Sequence, residues 1–256
     1  MAHVDVAALE VKVKDMYRRV AEQPYGEYHF EMGRGLAQRL GYPAEILDLI
    51  PDGAIESFAG VGYFLDLADL APGERVLDLG SGSGMDSFAA AALVGETGRV
   101  IGVDFTEEQL AKARRLAEAA GLKQVEFHAG RIESPQVADA SVDCVISNGV
   151  INLAPDKAKV FAEAARVLRP GGRLAVADIV TDRQLTDAIV SNADLWASCI
   201  GGAAQQDSYR KAITDAGLRV ERVRDNAYAF LTQQARDASA TYGVRSICLL
   251  AVKPIG

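Results

Sequence analysis

The 256-residue chain is 49% hydrophobic and 24% charged, with a net charge of −8 at neutral pH. That composition supports a sizeable core, in one large α/β domain or a domain with a small cap, and opposes disorder. The acidic balance, with no stripe of Lys or Arg along a helical face, argues against a nucleic-acid groove.

The opening "MAHVDVAALEVKVKD" carries Asp5, Glu10, Lys12 and Lys14 and so lacks the apolar stretch of a signal peptide. The longest apolar runs, such as Phe88 to Val94, are far short of the ~20 residues a bilayer demands. Cys144, Cys199 and Cys248 are odd in number and lack metal-type pair spacing, so a cytoplasmic protein without disulfides or a metal site is expected. Monomer and homodimer both remain open.

In chain order, Leu9, Val13, Met16 and Val20 recur at helical spacing and predict an amphipathic first helix. "PYGEYHFEMGRG" (Pro24 to Gly35) is rich in Gly and aromatics, and is either a packed loop or a lid over a ligand site. From Arg75 on, "RVLDLG", "RVIGVD", "VEFH", "SVDCVIS" and "RLAVADI" read as strands covered on both faces. Helical segments alternate with them, which predicts a parallel, doubly wound sheet. Thr106 and Gln109 suit a capping box, with Gly121 as the left-handed exit. Asp156 suits the cap of a helix that Pro170-Gly171-Gly172 would terminate. Arg183 to Gly217 reads as helices interrupted at "CIGGA", followed by strand-like "LRVERVRD" and "VRSICLLAV" around a helical stretch near Gln234 to Ala240.

"VLDLGSGSGMD" runs from a buried strand into Gly80-Ser81-Gly82-Ser83-Gly84. Glycines there let a ligand approach the main chain. The third glycine falls at Gly84, whereas the dinucleotide fingerprint needs it at the position of Met85, and no Lys-Ser or Lys-Thr pair makes a P-loop. Asp78, two residues before the loop, can orient it and face an amino group. Asp104 ends the second strand, where a carboxylate can accept both hydroxyls of a ribose.

This D-x-G-x-G-x-G pattern resembles class I S-adenosylmethionine-dependent methyltransferases. The resemblance runs from "SFAG" (Ser57 to Gly60) to "AGL" (Ala216 to Leu218). It implies a Rossmann-like α/β fold, with residues 1–70 as a helical cap or lid and residues 71–256 as the cofactor-binding domain. It also implies S-adenosyl-L-methionine as cofactor and a small-molecule methyl acceptor. By the same resemblance Asp78, Gly80, Ser81, Gly82 and Gly84 hold the methionine end, and the backbone at Ser147 and Asn148 lies near it. Asp104 holds the ribose, Arg131 and Ile132 of "HAGRIES" offer backbone groups to the adenine, and Phe105 either flanks the adenine or is a core aromatic.

Within that superfamily, "SFAGVGYF", "VLDLGSGSGMD", "RVIGVDFTEEQLAKA", "ISNGVINLAPDK", "RVLRPGGRLAVADIV" and "WASCIGGA" resemble arsenite methyltransferase segments in the same order. Those enzymes trap trivalent arsenic with thiolates. The family's cysteines fall at Val61, Gly149 and Cys199 of this chain, so one thiol of three remains, and one thiolate cannot form a multidentate arsenic site. Cys199 either touches substrate or is a packing residue or relic.

For the chemistry itself, His29 is the base candidate if its segment folds over the cofactor, with Tyr28 and Arg34 beside it for a polar acceptor. Trp196 either walls the pocket or packs in the core, and Asn152 follows the fourth strand at the sheet's ligand-binding edge. The expected function is methyl transfer to a small molecule on an arsenite methyltransferase-like scaffold. Genuine arsenite methylation, a non-catalytic cofactor-binding protein and a nicotinamide oxidoreductase are the rivals, the last opposed by the glycine spacing.

Overall fold

The alternation of apolar runs and helical segments builds a mixed sheet with helices on both faces in the computed structural model, which describes residues 4–197 and 200–255. Ahead of the sheet stand α1 (Val6–Glu22), α2 (Gly33–Leu40), α3 (Ala44–Leu47), α4 (Asp52–Glu56) and α5 (Leu65–Ala68). The alternating part comprises β1 (Arg75–Leu79), α6 (Met85–Val94), β2 (Arg99–Asp104), α7 (Glu107–Ala119), β3 (Val125–Ala129), β4 (Val142–Asn148), α8 (Lys157–Val167) and β5 (Leu168–Thr181). Then come α9 (Asp187–Val190), α10 (Ala193–Ala197), β6 (Ala204–Gln205), α11 (Gln206–Asp215), β7 (Arg219–Asp225), α12 (Gln233–Tyr242) and β8 (Arg245–Val252).

The strand order is β3-β2-β1-β4-β5-β8-β7, with β6 pairing the end of β5. The β1–β5 pairings and the β5–β6 bridge are parallel; β8 runs antiparallel to β5 and β7. The chain order reverses between β1 and β4, and the carboxyl ends of β2, β1 and β4 stand side by side there, where open α/β sheets bind ligands. Period-two alternation divides the core. Val76, Phe88, Val100 and Leu110 pack with the N-terminal helices on one face, while Leu77, Leu79, Phe161, Val176 and Ile213 pack on the other. No helix among the described residues is long and apolar enough to cross a membrane.

Helix α1 forms as its periodicity predicts, burying Leu9, Val13, Val20 and Ala21, while Met16 is half-buried. Asp5 caps it by accepting from the amides of Ala7 and Ala8 at 3.0 and 3.1 Å; removal of such a cap costs about 1 kcal/mol. Asp156 likewise caps α8 through the Lys159 amide.

Two local expectations fail for identifiable reasons. Thr106 and Gln109 form no capping box: the Gln109 amide donates to the Tyr17 carbonyl at 2.8 Å and its carbonyl accepts from Ser83 Oγ. A tertiary contact that fastens α1 to the glycine loop has displaced the local one. Pro170-Gly171-Gly172 does not stop a helix either. Helix α8 ends at Val167 and β5 begins at once, the Pro-Gly-Gly lying beside a register shift against β4.

Candidate active site

A cleft opens over the strand tips, with its floor at Asp78, Gly80 to Ser83, Asp104 and Asn148. Leu9, Glu10, Val13 and Tyr17 of α1 form its roof, and Phe58, Val150 and Leu153 add apolar walls. Gly80 has φ +79°, and a Cβ there would lie 2.5 Å from the Val150 side chain, so only glycine lets the loop turn this tightly.

Three carboxyl groups lie buried along the floor. Asp104 accepts from the Gly82 amide at 2.9 Å and the Thr106 amide at 2.8 Å, which ties the tip of β2 to the loop. Burial holds it above the ordinary carboxylate range despite those bonds. Asp78 accepts from Ser87 Oγ at 2.6 Å. Burial, and then the neighbouring Asp86 charge, push it up to about 8. Asp86, in the first turn of α6, accepts from Tyr42 Oη and, at 3.0 Å, from Asn148 Nδ2; burial pushes it up to about 6. Asn148 also accepts from the Val61 amide at 2.8 Å and donates to the Gly62 carbonyl at 3.0 Å. It thereby pins the 60–62 segment to the end of β4.

The structure brings Asp78, Gly80, Ser81, Gly82, Asp104, Phe105, Arg131, Ile132 and Asn148 to one cleft. Phe105 lies under Lys14, 5.1 Å from ring centroid to Nζ, and Arg131 pairs with Glu10, so α1 closes over this end. Gly84 has φ +94° and lies outside the lining; a Cβ there would collide with Phe127 and Phe88. Ser147 donates to the Leu79 carbonyl at 2.7 Å and is an interstrand tie.

Other expected site residues stand away from the cleft lining. Pro24 to Gly35 is not the roof, since α1 occupies that place. His29 packs edge-on against Phe30, which in turn stacks on Tyr17, so two rings separate it from the cleft. Tyr28 donates to the Gln23 carbonyl at 2.8 Å, and Arg34 pairs with Asp48 at the surface. Asn152 is buried and spends its amide on Asp178 at 2.7 Å and the Gly149 carbonyl at 3.0 Å. Trp196 packs with Leu9, Val13 and Leu153 behind the wall, its indole donating to the Val190 carbonyl at 2.6 Å. Cys199 lies outside the described residues. Cys144 and Cys248 are core thiols that burial pushes up to about 12 and about 11.

Gly149 and Val61 meet. A Cβ built on Gly149, whose φ is +71°, would stand 3.3 Å from Val61 Cγ1. Val61 is 2% exposed, so its methyls fill the space that a side chain at 149 would face. Asp86 and Tyr42 also belong to this site, and the sequence marks them only faintly. The signal for Asp86 is one acid in a mostly apolar helix, "MDSFAAAALV".

The cleft suits S-adenosylmethionine. Ser81 Oγ, buried in the floor, has no hydrogen-bond partner among the described residues, and the hydrogen bonds to Asp78 and Asp86 come from neutral donors. Burial raises both acids above the ordinary carboxylate range, and a cationic ligand beside them would favour their charged form.

A methyltransferase domain model matches residues 70–217. Among curated proteins, the arsenite methyltransferase of Halobacterium salinarum is 40% identical over 85% of this chain and 56% of its own length. That of Aquipseudomonas alcaligenes is 43% identical over 68% of this chain and 54% of its own length, so the chain spans little more than half of these relatives. Among solved structures, CrArsM, an arsenic (III) S-adenosylmethionine methyltransferase from Chlamydomonas reinhardtii, matches with a TM-score of 0.64 and 32% identity over 88% of this chain and 74% of that one. The chain belongs to the S-adenosylmethionine-dependent methyltransferase family, in the branch that holds the arsenite methyltransferases.

Proposed function

We propose that this protein transfers a methyl group from S-adenosylmethionine to a small-molecule acceptor other than arsenite, in the cytoplasm and without nucleic acid. Residues 1–70 serve as cap and residues 71–256 as the catalytic domain. The observation that carries the reading is the contact between Val61 and Gly149. Two positions that the resemblance assigns to arsenic ligands are neighbours here, and together they offer methyl groups and a bare backbone.

The cofactor supplies an electrophilic methyl group on a sulfonium. Asp104 would accept the ribose hydroxyls, Asp78 and the Gly80 to Ser83 backbone would hold the amino acid end, and Phe105 with Ile132 would enclose the adenine. The leaving group is already good, so alignment of the acceptor and exclusion of water account for most of what the chain must do. Leu9, Val13 and Tyr17 supply that exclusion from above. The titratable side chains of the lining are acids, Tyr17 and the paired Arg131, with no histidine among them. An acceptor that carries its own good nucleophile, a thiol or an activated carbon, suits this wall better than one that needs an imidazole base.

The test is release of adenosylhomocysteine with arsenite plus a thiol reductant, run beside a panel of thiol, phenol and carbon acceptors. Turnover with an organic acceptor and none above background with arsenite is expected. Arsenite turnover that exceeds every organic acceptor would refute the proposal.

A further inference from the structure

The two ends of the cleft differ in chemistry. Arg131 and Ile132 follow β3 at one end, while Asn148 closes β4 at the other, with Val150 and Leu153 just beyond it. Arg131 is the only cation among the described lining residues, and it is paired with Glu10. The other ionisable lining groups are acids and Tyr17, which bring no positive charge in any protonation state. The β4 end is walled by Phe58, Ala59, Val150, Leu153 and Ala154.

Backbone amides and helix starts can also hold an anion, but at this end they are taken. The Val61 amide donates to Asn148 Oδ1 and the Gly149 amide to the Ala177 carbonyl, both at 2.8 Å. The Asn152 amide donates to Asp178 at 3.2 Å, and those of Leu153 and Ala154 to the Val150 and Ile151 carbonyls at 2.9 and 3.0 Å. Asn148 Nδ2 is spent on the Gly62 carbonyl and Asp86, each at 3.0 Å. The start of α6 carries Asp86, and Asp156 caps the start of α8. Lys157 lies outside the lining: its Nζ donates to the Asn152 and Ala154 carbonyls at 3.0 and 2.9 Å and sits 4.9 Å over the Trp196 ring.

Val61 and Gly149, the positions that the resemblance assigns to acceptor ligands, stand at this same end, since Asn148 ends β4 and holds the Val61 amide. We infer that the methyl acceptor is an apolar molecule without carboxylate or phosphate, and that the β4 end of the cleft selects against those groups. The assignment deepens the methyltransferase reading above and rests on it. A carboxylate brought here loses its water and gains neither a cation nor any of these amides, and an unpaired buried charge is costly. An alkyl or aryl group of the same shape exchanges water for Phe58, Val150 and Leu153, which is favourable.

Calorimetry on the full wild-type chain, first saturated with adenosylhomocysteine, tests this with two isosteric pairs. Isopentyl thiol is set against mercaptopropionate, and para-isopropylphenol against para-hydroxybenzoate. Within each pair an isopropyl group replaces a carboxylate while the thiol or phenol is kept. The isopropyl member should bind about tenfold or more tightly than its partner. Equal affinities, or a preference for the carboxylate, overturn the assignment, as does failure of both isopropyl members to bind. A chain that does not take up adenosylhomocysteine in the first titration would instead sink the cofactor reading, and the assignment with it.

One variant ties the selectivity to this wall. Val150→Lys, at a half-buried lining position, brings a cation to the β4 end. It should raise the affinity for the two carboxylate members about tenfold or more, with a thermal melt to show that the variant folds. No gain in a folded variant overturns the assignment.

Discussion

At the scale of single residues, Asp104 carries two loads. It holds the glycine loop through Gly82 and its own turn through Thr106, and in the proposed cofactor site it also accepts the ribose hydroxyls. Asp104→Ala removes both anchors. Bonds to charged groups are worth roughly 1.5–3 kcal/mol, so affinity for S-adenosylmethionine should fall about tenfold or more. Titration calorimetry reads this directly, and unchanged affinity would remove Asp104 from the site. Gly149 shows the opposite economy. Its backbone sits in the left-handed region, where an L side chain costs about 1–2 kcal/mol, and Val61 stands against the place a side chain would take. A cysteine at 149 therefore works against both backbone strain and Val61 packing.

At the scale of elements, α1 rather than Pro24 to Gly35 governs access. Its inner face lines the cleft, and besides its apolar packing polar contacts tie it to the body: Glu10 to Arg131, Lys14 over Phe105, and the Tyr17, Val20 and Ala21 carbonyls to Gln109, Ser57 and Lys112. The Glu10 and Arg131 side chains are partly exposed, and such pairs contribute little to stability. Burial of Leu9, Val13, Val20 and Ala21 holds helix α1 against the body, and a ligand beneath it adds further contacts. Hydrogen exchange should slow across Val6–Glu22 when cofactor is added and stay unchanged over residues 24–35. Slowing confined to residues 24–35 would return the lid, and His29 with it, to the site.

At the scale of the whole molecule, buried acids set the response to pH. Native Asp78 keeps its proton up to about 8, while the unfolded chain loses it near 3.8. Between those values the native state binds more protons than the unfolded one, so stability falls as pH rises through the window. Asp86 adds the same slope up to about 6. Thermal melts of the cofactor-free protein should drop from pH 5 to pH 8, and the drop should flatten in Asp78→Asn. A melting temperature that rises across that range in the wild type would contradict the burial of these groups.

Much of this architecture was legible in the chain. Continuous Val/Ile/Leu runs announced strands buried on both faces, and the spacing of Gly80, Gly82 and Gly84 after Asp78 separated this loop from the dinucleotide fingerprint. What escaped depends on contacts distant in sequence. Gln109 abandons its local cap for Tyr17, 92 residues away, and Asp86 meets its partners Tyr42 and Asn148 across 44 and 62 residues. The aromatic richness of Pro24 to Gly35 suggested a lid, but those rings spend themselves on one another and on Tyr17. Composition could not reveal which aromatic segment faces a ligand.

We propose that the scaffold keeps the methyl donor site while two of the three arsenic thiols are absent, and restoring those two tests this most directly. Adenosylhomocysteine release would be followed with arsenite and a thiol reductant for the wild type, for Cys199→Ser, and for Val61→Cys combined with Gly149→Cys. The double variant brings two thiols to adjacent positions, and near-attack orientation can account for ~7–11 kcal/mol of a barrier. The account predicts no turnover above background in the wild type and measurable turnover in the double variant. Wild-type arsenite turnover that vanishes in Cys199→Ser would contradict it.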